Sequence, residues 1–165
     1  PLTLIGPHGT AKLMRAMMTT FPSFNRAPFR VTVREVSDRA FRLGDTRIKP
    51  GTVTHAPRLH CVGYRIEYQD HVVTYSGDSL YCDNLVRLCH EADLAILDCS
   101  FPENRPGAGH LHAGLCGRVA QEAGINQLVL SHFYPIAERY DVCAQAGNYF
   151  SGRIRMARDL LKLKA

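Results

Sequence analysis

Residues 94–132 read LAILDCSFPENRPGAGHLHAGLCGRVAQEAGINQLVLSH, and the rhythm of this stretch decides the fold. Residues 94–97 and 128–130 are continuous apolar runs without alternation. Between them Leu111, Leu115, Val119, Ala120 and Ala123 recur at helical spacing, and Gly124 follows as a C′ residue. Strands apolar on both sides, joined by an amphipathic helix, belong to a sheet covered on its faces, an α/β arrangement. Upstream, Asp83 opens a second helix with Leu85, Val86, Leu88, Cys89 and Ala92 inward. Residues 61–68 and 72–75 read as a hairpin turning at Gln69-Asp70-His71, and residues 51–55 as a short strand. Nearer the start, residues 2–5 form a strand stopped by Gly6-Pro7. Thr10 caps a helix with Leu13, Met14, Met17, Met18 and Phe21 on one face. Residues 29–36 alternate as a half-buried strand, Phe29, Val31 and Val33 against Arg30, Thr32 and Arg34. A methionine stripe of this kind is ordinarily core or partner-facing surface, and the basic side of such a strand is ordinarily solvated.

The ends of the strands carry the chemistry. One strand leads into His55, a second through Ser76-Gly77 into Asp78, a third into Asp98 and a fourth through Ser131 into His132. In α/β sheets, sites collect just beyond the carboxyl ends of the strands. A single His or Asp there is ordinarily a turn or cap residue, but four together point to a site. Two histidines and a carboxylate suit Zn²⁺, Mn²⁺ or Fe. Gly77 allows a sharp turn that aims Asp78 inward, and a carboxylate has two oxygens with which to bridge a metal pair.

Composition bounds the rest. A chain of 165 residues suits one domain with a hydrophobic core, and residues 1–165 are read as one. With 13 glycines and nine prolines the chain is neither disordered nor collagen-like. No apolar run approaches the ~20 residues that span a bilayer, so no membrane partner is expected. The six cysteines include no CxxC pair and fall mostly in apolar segments, which makes a cytoplasmic, reducing setting the simplest. The net charge of +5 is a modest attraction for anionic substrates.

Several of these segments resemble a known family. His55 ahead of Gly63-Tyr64-Arg65-Ile66-Glu67, the run Tyr75-Ser76-Gly77-Asp78-Ser79, and Leu130-Ser131-His132-Phe133-Tyr134-Pro135 look like the later motifs of the metallo-β-lactamase fold. Together with residues 92–98 and Gly109-His110-Leu111, they are similar to its ribonuclease Z-like and phosphodiesterase-like branch. The resemblance implies the later strands and helices of an αββα sandwich and two divalent metal ions, Zn foremost, with Mn or Fe as alternatives. By the same resemblance His55 binds one metal, His132 the other, and Asp78 bridges them. His110, paired with Asp98, assists proton transfer to the leaving oxygen. His112 is an ordinary helix-start residue, because the Asp-His that follows the family's HxH is missing here. His60 is a weak rival to His55, and His8, His71 and His90 are solvated or capping.

Two departures refine the expectation. The family's HxHxDH motif, which supplies most metal ligands, is absent from the 165 residues. The chain, which opens in mid-strand at Pro1, is therefore expected to be the C-terminal portion of a hydrolase domain. By itself it should bind metal weakly or not at all and show no useful turnover. It should also expose apolar surface and pair as a homodimer. The tight hairpin through Gln69-Asp70-His71 leaves no room for the long arm of transfer-RNA-processing members, which favours a small phosphodiester over that substrate, within the broader class of nucleotide or RNA esters. Rival readings are a lactone, thioester or amide hydrolase on the same metal centre, and a non-catalytic binding or assembly module.

Overall fold

The computed structural model describes residues 1–26 and 28–163. The chain divides into two compact units, Pro1–Arg39 and Ala40–Ala165.

The first unit is a β-α-β arrangement. Strand β1 (Leu2–Gly6) runs parallel to β2 (Val31–Glu35), with Leu4 opposite Val33. Helix α1 (Thr10–Thr20) and a 3₁₀ turn (Pro22–Arg26) lie between them in sequence. The start of α1 departs from the expected cap. Gly9 occupies the cap position, and the Thr10 hydroxyl turns back to donate to the Pro7 carbonyl at 2.7 Å. The Glu35 carboxylate replaces it, accepting the backbone N–H groups of Gly9 and Ala11 at 2.9 Å each. These bonds, that from Ala11 foremost, hold Glu35 below the usual carboxylate range. A carboxylate at a helix start also sits favourably against the helix dipole.

The second unit is built on one seven-stranded sheet in the order β3-β4-β5-β6-β7-β8-β9. These strands are β3 (Phe41–Leu43), β4 (Thr46–Val53), β5 (Cys61–Tyr68), β6 (His71–Tyr75), β7 (Leu94–Asp98), β8 (Gln127–Ser131) and β9 (Arg153–Met156). Neighbours from β3 to β6 are antiparallel, and those from β6 to β9 are parallel. The expected β5–β6 hairpin turns through Gln69 and Asp70, with Tyr68 opposite His71. The strand expected over 51–55 is longer at its start and ends earlier, at Val53. Pro50 is tolerated inside it because β3 has already ended, leaving β4 an edge on that side.

Helices α2 (Asp83–Cys89), α3 (Ala113–Ala123) and α4 (Val142–Gly147) complete the unit. Leu85, Leu97, Leu111, Val119, Leu128 and Leu130 are fully buried in one core. The two continuous apolar runs are thus β7 and β8, at the centre of the parallel half. His112 caps α3 by accepting the Leu115 N–H at 3.4 Å, as a helix-start residue should.

Candidate metal and catalytic site

The carboxyl ends of β6, β7 and β8 and the segment after β4 converge on one group of side chains. Gly77, at φ +61°, turns the chain after β6 and presents Asp78. His132 follows β8 at the same φ of +61°, a left-handed conformation that strains a residue with a Cβ by roughly 1–3 kcal/mol. Asp98 closes β7 and is 2% exposed.

Asp98 organises the site. Its Oδ2 accepts the Ser79 N–H at 3.0 Å and His110 Nδ1–H at 2.7 Å; its Oδ1 accepts the Ser100 N–H at 3.1 Å and the Ser100 hydroxyl at 2.7 Å. Both oxygens are therefore fully engaged, which leaves Asp98 no lone pair for a metal. Its effect is to orient the neighbouring rings. His110, with a side chain 9% exposed, packs edge-on to His55 with ring centroids 4.8 Å apart and stacks on His132 at 5.2 Å. The Tyr134 hydroxyl lies 3.4 Å from His110 Nε2.

The other three candidates present the donors a divalent metal needs. His55 Nδ1 donates to the Gly109 carbonyl at 2.7 Å, which leaves Nε2 free. His132 Nδ1 donates to Ser100 Oγ at 2.8 Å, and its Nε2 lies 3.5 Å from Asp78 Oδ1. A ring whose far nitrogen is tied to a carbonyl or hydroxyl is the usual state of a metal-ligating histidine. Two free imidazole nitrogens and a half-exposed carboxylate fit Zn²⁺, Mn²⁺ or Fe by donor chemistry. Ligand atoms of His55, Asp78 and His110 all lie within 4.8 Å of one another, and so do those of Asp98, His110 and His132. The saturated carboxylate of Asp98 argues against the second set, and His110 belongs with Asp98 as an oriented ring.

The structure thus gathers all five residues singled out from the sequence. It adds Ser79, Ser100 and Tyr134, which the sequence reading left without a role. Ser100 stands two residues beyond Asp98, where a strand-like period returns a side chain to the same side, and that spacing was the available signal. His60 lies outside the group and contacts the Thr52 hydroxyl at 3.1 Å. A cavity of about 540 Å³ adjoins the site, with Ala56, Pro57, Leu80 and Ala108 beside His55 and His110.

Sheet, strand-end histidines and carboxylates define a class, and comparison with known proteins agrees. The family model "Beta-lactamase superfamily domain" matches residues 2–133, and the chain belongs to that family. The crystal structure of the metallo-beta-lactamase fold protein YhfI from Bacillus subtilis superposes with a TM-score of 0.75 at 26% identity, over 94% of this chain and 63% of that one. By sequence the "Probable metallo-hydrolase YhfI" is 32% identical over 114 residues, 66% of this chain and 47% of that protein. The "Ribonuclease Z" of Thermobifida fusca is 34% identical over 119 residues, 64% of this chain and 37% of that protein. The chain therefore spans about half the length of these curated relatives or less.

Proposed function

We propose that these residues form the later part of the catalytic centre of a metal-dependent hydrolase that cleaves a small phosphodiester. The observation that carries the reading is the buried Asp98–His110 pair at 2.7 Å, set against two histidines with free Nε2 atoms and a carboxylate. His55, Asp78 and His132 would hold divalent metal, Zn most readily. Bound there, the metal supplies Lewis acidity and lowers the pKa of water toward neutrality.

The chain's own residues handle the leaving group. Asp98 fixes the His110 ring through Nδ1, so Nε2 faces the site and delivers a proton to the departing alkoxide. A positioned acid of this kind contributes about 10²–10⁴-fold. Ser100 joins Asp98 to His132 and so holds the acid and a metal ligand in one frame. Two features support a small substrate. The β5–β6 turn is only two residues long, and the described residues that line the cavity beside His110 include no lysine or arginine. The relative called ribonuclease Z keeps nucleic-acid esters within the class. The same reading includes pairing of two copies, supported by the exposed Leu13, Phe21 and Phe24, and checked by sedimentation. It also includes a cytoplasmic setting, supported by six free cysteines. No helix among the described residues is long and apolar enough to cross a membrane.

The test is His110→Ala in the full-length, metal-loaded protein with bis-p-nitrophenyl phosphate. Turnover should fall by about 10²–10⁴-fold while metal content stays constant. Loss of metal would make His110 a ligand, and an unchanged rate would remove it from the chemistry. Faster turnover of a lactone or thioester than of any phosphodiester would overturn the substrate class.

A further inference from the structure

A second cavity, of about 280 Å³, opens at the β9 edge of the sheet and is lined by Gln127, Arg153, Arg155, Lys162 and Leu163. Gln127 is the first residue of β8 and Ser131 the last, so the cavity lies at the opposite end of that strand from His132. Four residues at ~3.3 Å each make that separation roughly 13 Å along the strand. It is a place distinct from the metal and acid residues.

Two independent observations meet there. The first is charge. Arg153 stands in register with Gln127, and Arg155 with Val129, so both arginines share one face of β9. Ile154, between them, packs on the core from the other face. Lys162 adds a third cation, and the described residues of the lining include no carboxylate. The second is an orphaned donor. Gln127 is 7% exposed, and its Nε2 is buried with no hydrogen-bond partner among the described residues. Buried donors are almost always paired, so one without an acceptor beside three cations describes a site in which the acceptor is the missing component. Charged side chains on an edge strand also deter strand addition, which accounts for the arginines. It does not account for a buried amide on β8, which has neighbours on both sides.

We infer that this cavity binds a single phosphate group. The planar guanidinium fork matches phosphate oxygens two at a time, and two arginines on one face can grip one phosphate from both sides. A carboxylate would leave the third cation and the amide short of acceptors. The Gln127 amide then turns its N–H toward the anion, which supplies the acceptor it lacks.

Titration of the metal-free full chain with inorganic phosphate at fixed ionic strength tests this, read by calorimetry and by the Gln127 side-chain amide in ¹H–¹⁵N spectra. Saturable binding that shifts the Gln127 amide is expected. Arg155→Ala, an exposed position, should weaken it by about tenfold or more. Gln127→Leu should weaken it too, and His132→Ala should leave it intact. A 5′-phosphorylated oligonucleotide that outcompetes its dephosphorylated twin would show the phosphate arriving on a nucleic-acid end. Competition by neither would mark the free anion as the ligand, and equal competition by both would place backbone diesters in the cavity and overturn the single-phosphate reading. No saturation, saturation reproduced by chloride, or binding lost with His132→Ala but kept in Arg155→Ala would each overturn the proposal.

Discussion

Helices α1 and α3 are each eleven residues long and similarly amphipathic, yet α1 has no buried residue and α3 has seven. The difference lies in what each helix has to pack against within its own unit. α3 packs with β7, β8, α2 and α4 around a core that buries Val119, Ala120 and Leu128 completely. α1 belongs to a unit of 39 residues whose sheet has two strands, too little surface to cover an apolar face. Periodicity therefore tells which face of a helix is apolar, while the number of neighbours decides whether that face is removed from water. All five candidate site residues lie in the well-covered unit, and the Asp98 and His110 side chains are buried in it.

The sharpest way to break this contrast is to truncate one leucine on each side of it. Leu128→Ala, at a fully buried position, should cost about 2–5 kcal/mol in urea unfolding. Leu13→Ala, at a position 60% exposed, should stay within about 0.5 kcal/mol. Equal costs would mean that the α1 face is covered in the protein as purified. Next in size is Gly117→Ala on α3, where the added Cβ would press on the Ala146 carbonyl of α4. Overpacking there should cost about 1–3 kcal/mol, although alanine is the better helix former. A stabilising Gly117→Ala would show that α3 and α4 can move apart.

Much of the well-covered unit was legible because its signals are local. The runs at β7 and β8 needed no partner to be read, and each strand delivered its His or Asp within three residues of its end. What stayed hidden depends on distance or on competing signals. Glu35 caps α1 from 24 residues away, a relation that periodicity cannot reveal. Pro50 masked the first half of β4, two arginines disguised β9, and α4 at six residues is too short to show a helical period. Ser100 and Tyr134 matter through what they touch, so their residue types alone were uninformative.

The smallest predicted effect compares how the two helices begin. α3 starts on the His112 ring, which accepts the Leu115 N–H only while Nδ1 is unprotonated. Burial, aided by Arg118 and opposed by Glu103, holds this histidine below its ordinary value of 6.5. Its folded pKa being depressed, its contribution is complete above the unfolded value and disappears as pH falls through the folded one. α1 starts on Glu35, whose folded value is likewise depressed but from 4.5, so its contribution survives to more acidic pH. Acidification should therefore release the α3 cap before the α1 cap. The amide shift of Leu115 should move below pH 6.5 while that of Ala11 holds until pH falls below 4.5. His112→Asn, which keeps an uncharged acceptor at the cap, should remove the first transition and leave the second. His112→Ala should cost about 1 kcal/mol at pH 7.5, the usual value of an N-cap. A Leu115 amide that holds its shift to pH 4 would show that α3 is anchored by its buried face alone, with the cap adding nothing.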